Sequence, residues 1–564
     1  MALAQADFGL SLIDQCNAIM EATEARHQEM EAIRAKDPLV RLFDGNRKLQ
    51  HLIQNDDEFT FDDPDNDTGP GQITMDFEFE AAQYLHDMYG RKQRGESINV
   101  LVVVDHCGGR WSGLLDRTEV VQDETGQSKL IAHFLSDYEQ LKWKQLWSNP
   151  VLPAFIQAPR VFMLGGPARW VLLTALLLNL WRENLSLWHL PDDPLKISSW
   201  FSGLDQYNWP VRVKPISFLD DLAAGTPMAL LSSRWKTWHD AAQMILEDAE
   251  LSVTWRRWFE GDELPWPGAV IKPGTLIIGI EDKSGVYEGT ANGGTIFDGF
   301  TRIFRDVAED LYEDTDYAAT GAIPTIADYR VPGRLLTNRR APYVFYPPDS
   351  PGVTHSSFIQ SPAKGKQINT GGASMPGVNE TISAAVQGIF DVIGNALQVG
   401  SIGGSVDAIA KMFYQDTVLA WISVKLYERA QSGGDFQLYE YFVDSGGKAY
   451  TLSSFMVIRA GRYATRTWFS CSMDIADAAP YLIGDQGQGH FWKGDRVSTM
   501  IKGDRSRRLH IDRVRRLTLS RKRGERAAYA LAIGNDAAQE DPLVRLMARM
   551  ERVKSEMKDL GVFS

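Results

Sequence analysis

The chain has 564 residues, 44% of them hydrophobic and 23% charged, with a formal net charge of −14. Those totals exclude a disordered polypeptide and call for several domains, since a single core stops growing near about 250–300 residues. Three dispersed cysteines, Cys16, Cys107 and Cys471, with no CxxC pair, exclude a disulfide framework and a thiolate zinc site.

The opening, MALAQADFGLSLIDQC, has no basic stretch followed by an apolar one, so no secretory leader is expected. Residues 1–36 are expected to be helical. Over 7–36, Leu12, Cys16, Ile19, Thr23, Met30 and Ile33 keep a four-three spacing that Arg26 interrupts. KDPLVRLFD (36–44) runs into Asp44-Gly45, a hairpin signal, and reads as a strand. The strand-rich segment 37–158 fits a first β-barrel-like domain. Inside it, DPDNDTG (63–69) is the best metal candidate, because Asp63, Asp65 and Asp67 alternate as in a calcium loop. Thr68 stands where the sharp-turn glycine belongs and Thr74 where the bidentate glutamate belongs, so a polar hairpin loop is the preferred reading. His106 and Cys107 are adjacent. On a strand they would point to opposite faces and could not easily grip one ion.

Residues 159–380 read as a mixed α/β region. PARWVLLTALLLNLWRENLSLWHL (167–190) raises the question of a membrane span. Its apolar run, Trp170 to Trp181, lies between Arg169 and Arg182 and is roughly 18 Å long at about 1.5 Å per residue. A bilayer core of about 30 Å needs about 20 apolar residues, so the run is expected to be a core helix and no membrane span is assigned. Twelve of the 16 tryptophans lie between Trp143 and Trp266. Core filling is the preferred reading, with a sugar-stacking surface as the alternative. The acidic EDLYEDTDY (309–317) reads as the solvated end of a helix. Residues 381–435 read as a glycine-interrupted helical segment in which Asp391, Asn395, Asp407 and Lys411 recur too often for a span.

A second β-barrel-like domain is expected over 436–537. From Lys493 to Arg526 it carries a local charge of +9, which leaves −23 on the remainder. These cations flank turn signals and alternate with Val514, Leu517 and Leu519, so a solvated hairpin face is preferred over a nucleic-acid surface. An acidic neighbouring subunit is a second possible partner. The last segment, 538–564, opens with Asp541 as N-cap and Pro542 in the first turn. Leu543, Leu546, Met550, Val553, Met557 and Leu560 alternate by three and four without a break and form the candidate self-association seam. A coiled coil and an amphipathic helix packed on its own domain both remain open.

The nucleophile elbow GxSxG, the zinc motif HExxH and the phosphate loop GxxxxGK[ST] are absent, and the ten histidines are scattered. No catalytic, cofactor-binding or metal-binding residues are assigned, no cofactor is expected, and the chain is read as a non-enzyme. A carboxylate pair for glycoside hydrolysis leaves no local motif, so a cell-wall hydrolase stays as an alternative.

VVVDHCGGRWSGLLDRTEVVQDETGQSKLIAHFLSDYEQLKWKQLWSNP (102–150), the core-helix segment (166–195), GGASMPGVNE (371–380), DAAPYLIG (477–484) and GHFWKGDRV (489–497) resemble, in this order, minor tail proteins of actinobacteriophages, especially mycobacteriophage siphoviruses. The resemblance covers roughly 37–535. It implies a multidomain α+β tail-tip or baseplate hub in which the two β-blocks are tail-tube-like barrels, joined by the mixed α/β insert and flanked by helical N- and C-terminal segments. It further implies a homotrimer whose partners are distal tail and tube proteins, the tape measure, other minor tail proteins and the host cell envelope, with nucleic acid met only as it passes through a lumen. The implied location is the virion tail tip, and the host cytoplasm during assembly. A cell-wall glycan-binding adhesin is the remaining alternative.

Overall fold

The computed structural model describes residues 11–122, 126–185, 190–191, 194–284, 343–347, 350, 353–371, 421–444, 461–462, 465, 467–475, 479–485, 489–505 and 509–534. The chain divides into two compact units, Met1–Phe304 with Tyr317–Phe358 and Cys471–Asn535 in one, and Arg305–Asp316 with Ile359–Ser470 and Asp536–Ser564 in the other.

The first unit begins with α1 (Leu12–Arg34), a helix capped by Ser11, whose side chain accepts the Asp14 N–H at 3.3 Å. Two strands follow, β1 (Leu39–Asp44) and β2 (Leu49–Ile53), joined at the expected Asp44 turn, where the carboxylate accepts from the N–H groups of Asn46 and Lys48. Next come β3 (Glu58–Pro64), β4 (Pro70–Asp76), the short helices α2 (Glu80–His86) and α3 (Met88–Gln93), and the strands β5 (Val100–His106), β6 (Gly109–Gln122) and β7 (Ser128–Ser136). Period-two alternation turns Phe59 and Phe61, Ile73 and Met75, and Leu130, Ala132 and Phe134 into one core. β5 reads VLVVV because both of its faces are covered. Val100, Val102 and Val104 enter that core, while Leu101 and Val103 pack with Phe43 beside Phe259.

A second layer is built around helices. It contains α4 (Glu139–Lys142), β8 (Phe162–Pro167), α5 (Ala168–Asn184), β9 (Val211–Val213), α6 (Phe218–Ala223), β10 (Met228–Ser233), α7 (Trp238–Asp248), β11 (Leu251–Trp258) and β12 (Thr275–Asp282). The apolar run examined for a membrane span is α5. Val171, Leu172, Leu173, Ala175, Leu176 and Leu180 lie in the centre of this core with Trp209, Trp238, Leu231 and Leu276. No helix among the described residues is long and apolar enough to cross a membrane. Asn179, one of the two polar interruptions of the run, is fully buried and satisfied: its Oδ1 accepts from the Trp147 N–H at 3.2 Å and its Nδ2 donates to the Ala175 carbonyl at 2.9 Å.

β13 (Val344–Tyr346) returns to the large sheet. After β14 (Val353–Ser361), most of which belongs to the first unit, β15 (Gln367–Gly371) of the second unit pairs antiparallel with β16 (Trp421–Lys425) and parallel with β17 (Glu440–Asp444). The helix α8 (Tyr427–Ser432) supplies Arg429, buried and bound to Thr465 Oγ1 at 2.7 Å and to the Arg462 carbonyl at 2.9 Å. After β18 (Trp468–Ile475), the strands β19 (Arg496–Met500), β20 (Leu509–Lys522) and β21 (Ala528–Ile533) complete the large sheet.

That sheet has 11 strands in the order β13-β19-β20-β3-β4-β7-β6-β5-β1-β2, with β21 paired to β20. Strands of both expected β-blocks therefore share one sheet, joined where β20 pairs antiparallel with β3 from Arg516↔Pro64 to Lys522↔Glu58. The same block is divided, since β17 belongs to the three-stranded sheet of the second unit. Among the described residues no pairing closes the large sheet into a barrel: β2 ends the path at one side and β13 at the other.

Candidate functional site

The acidic loop 63–69 joins β3 to β4, and its polar residues reach several separate parts of the first unit. Asn66, at φ +58, uses its side-chain amide as a backbone would. Its Nδ2 donates to the Leu251 carbonyl at 2.8 Å and its Oδ1 accepts from the Val253 N–H at 2.7 Å, which ties the loop to β11. Asparagine tolerates this left-handed conformation better than most residues. Asp63 accepts from Lys493 Nζ at 2.5 Å, Asp65 from Arg513 at 2.9 Å, and Asp67 pairs with Lys142 of α4 at 2.6 Å. Gly69 closes the loop where a Cβ would lie 1.9 Å from the Asp62 carbonyl oxygen, so no side chain fits.

The three aspartates of the calcium-like pattern are thus engaged by ammonium and guanidinium groups. No cluster of three or more His, Cys, Asp or Glu among the described residues could hold a metal ion. Burial pushes the Asp63 carboxyl up and the Lys493 ammonium down from their ordinary values, against the attraction between them. Burial likewise lowers Arg513, partly offset by Asp65. The Lys493 ammonium also lies 3.0 Å from the centre of the Trp255 ring, a cation–π contact that adds a second binding surface for a desolvated charge.

The seam continues on both sides of the loop. Arg257 of β11 donates to both oxygens of the buried Asp137, at 2.7 and 2.5 Å, and Arg496 of β19 reaches Glu250 at 2.8 Å. Arg256 meets Asp485 at 2.5 Å, Lys283 meets Asp495 at 2.7 Å, and Arg521 pairs with Asp56. The basic stretch 493–526 is therefore only partly a solvated hairpin face. Lys522, Arg523 and Arg526 at the β20–β21 tip are exposed, whereas Lys493, Arg496 and Arg513 are buried against carboxylates. The reason is electrostatic: acids brought indoors by β3 and the 63–69 loop require counter-charges, and the turn before β19 supplies Lys493 while β20, the strand paired to β3, supplies Arg513. Lys493, Arg513, Asn66 and the Arg257–Asp137 pair were not singled out from the sequence. For Lys493 and Arg513 the one visible signal was the opposed charge of the loop and the stretch.

The expectation for His106 and Cys107 needs correcting. Cys107 sits in the β5–β6 turn at φ +53, followed by Gly108 at φ +93, rather than on a strand. The turn swings Sγ to 3.3 Å from His106 Nε2. Burial lowers His106 to about 4, with the Arg521 charge adding to the effect, so the ring is neutral at pH 7.

The tryptophans divide. Trp209 and Trp238 fill the core around α5, the latter donating to the Leu172 carbonyl at 3.0 Å. Trp147 and Trp235 pack with ring centroids 4.4 Å apart and planes tilted by 34°, Arg182 lies over Trp147, and Trp143 is exposed. The seam Leu543 to Leu560, the acidic cluster 309–317 and the glycine-interrupted stretch up to residue 420 lie outside the described residues.

A family model described as Siphovirus ReqiPepy6 Gp37-like protein matches residues 39–535. Minor tail protein Gp28 of Mycobacterium phage D29 is 30% identical over 602 residues, covering 98% of this chain and all of the relative. Minor tail protein Gp28 of Mycobacterium phage L5 is 29% identical over 603 residues, with the same coverage. Among solved structures, a tail protein from Neisseria meningitidis MC58 aligns with a TM-score of 0.38 at 10% identity, covering 90% of this chain and 99% of that one. A 43 kDa tail protein of prophage MuSo2 from Shewanella oneidensis aligns with a TM-score of 0.40 at 10% identity, covering 88% and 99%.

Proposed function

Because the chain belongs to the siphovirus ReqiPepy6 Gp37-like family and is a minor tail protein of a siphophage, we propose that it serves as the hub of the tail tip. In this reading it links the tail tube to distal tip proteins, and three copies surround the path of the genome. The observation that carries the proposal is the match to curated minor tail proteins over 98% of the chain. The geometry supports it in a second way. Among the described residues the large sheet ends at β2, whose Leu49 and Leu52 are exposed, and an edge bearing apolar residues favours completion by a neighbouring subunit. The large sheet, to which both β-blocks contribute, would then be completed only in the assembled tip. The tube, the tape measure, other minor tail proteins and the host envelope are the partners this role calls for, and assembly takes place in the host cytoplasm.

Gold-labelled antibody against this protein, imaged on intact virions, is expected to mark the end of the tail opposite the head. Label spread along the shaft would overturn the hub reading. The role requires no bond-breaking chemistry, and purified protein incubated with mycobacterial peptidoglycan is expected to release no muropeptides. Release abolished by a single Asp or Glu substitution in 159–380 would make it a hydrolase instead.

A further inference from the structure

The four-three stripe of α1 is used over only half its length. At its C-terminal end the stripe meets the first unit. Arg26 reaches His490 at 3.3 Å, Met30 is buried, and the neighbouring Arg34 donates to the Tyr481 carbonyl at 2.9 Å. These anchors fix the direction and rotation of the helix. At its N-terminal end the same stripe lies bare: Leu12 is 77% exposed and Ile19 40%, and Cys16 and Thr23 are exposed. Ile13 and Met20, which flank the stripe, are 72% and 64% exposed. This largely apolar stripe of Leu12, Cys16, Ile19 and Thr23 is left exposed, which favours a second helix as its partner.

We propose that the exposed stripe of this N-terminal half of α1 binds the same stripe of a second copy of this chain, parallel and in register. Taking Cys16 and Thr23 as a positions makes Leu12 and Ile19 d positions, and the charges then sort themselves. Asp14 and Glu21 fall at f and Glu24 at b, on the outer side of the helix. The flanking e and g positions hold Ile13, Gln15, Met20 and Ala22, none of them charged. A copy laid alongside therefore meets apolar and neutral side chains and no like charge, which is the complementarity that self-pairing demands. The parallel direction rests on the hub reading, in which copies surround one axis and present the same end together. Two heptads hold copies weakly by themselves, so the seam acts with the other surfaces of the assembly.

Cys16 gives a direct test, because in a parallel, in-register pair the two Cys16 side chains face each other. Mild oxidation of the full-length protein with copper–phenanthroline, which takes up the two electrons as the thiols lose their protons, is expected to give a cross-linked pair on a non-reducing gel. The pair should vanish in Cys16→Ser, which keeps Cys107 and Cys471. No cross-linked pair, or one that survives Cys16→Ser, would overturn the proposal. Leu12→Asp with Ile19→Asp, at exposed positions that the fold does not need, is expected to shift sedimentation to smaller species with an unchanged circular dichroism spectrum. Unchanged sedimentation would also overturn it. A trimer that forms without any Cys16 cross-link would remove this seam and leave the hub reading standing, whereas a protein that is monomeric at all concentrations would remove both.

Discussion

Lys493 and Asp63 show what the interior charges do. Each has been taken out of water, and each is displaced toward its neutral form by that burial. Removing one partner strands the other, so Lys493→Met is expected to cost about 3–5 kcal/mol, read as a lower urea midpoint. Asp63→Leu combined with Lys493→Met should recover most of that loss, because an apolar pair of similar size carries no desolvation debt. His106 gives a pH dependence. Its folded value, about 4, lies below the ordinary value near 6.5, so the unfolded chain takes up the proton first as pH falls. The stability it contributes is complete above about pH 6.5 and is lost between there and about pH 4, amounting to on the order of 3 kcal/mol. Urea titrations across this range should show a shallower decline for His106→Gln than for the unaltered protein. An equal slope would mean that the ring does not carry the effect.

At the scale of elements, the legible features were those whose cause is local. The length and all-round apolar character of 170–181 placed α5 in a core, and Asp44-Gly45 located the first hairpin. Leu176→Ala in α5 is expected to cost about 2–5 kcal/mol by opening a cavity, while Trp143→Ala, at an exposed position, should stay within about 0.5 kcal/mol in the same urea measurement. Asn179→Leu should cost about 1–3 kcal/mol, because it leaves the Trp147 N–H without its acceptor. The turn at Cys107-Gly108, where both residues have positive φ, is signalled in the sequence only by the glycines that follow the apolar run of β5. The fate of the 63–69 loop was not legible in any local window. Its partners Lys493 and Arg513 lie more than 400 residues away, and no periodicity specifies which distant cation answers which aspartate. The heptad spacing of α1 was legible, but the division into a packed half and a bare half depends on where His490 and Tyr481 arrive.

At the scale of the whole molecule, the mixed α and β character and the tail-protein family follow from sequence order, whereas the sharing of one sheet by two distant segments does not. β3 and β20 pair across about 450 residues of intervening chain. A chain ended at residue 508 lacks β20 and β21 and bares the edge of β3 together with the Phe59 and Phe61 core beneath it, so it is expected in the insoluble fraction on expression. Recovery of that shortened chain as a soluble species with native-like circular dichroism would contradict the role given to the pairing. The same arrangement bears on synthesis. A ribosome displays β3 about 450 residues before it delivers its mate, so a growing copy carries an open edge throughout that interval. Products interrupted before β20 are expected to keep that β3 edge unpaired.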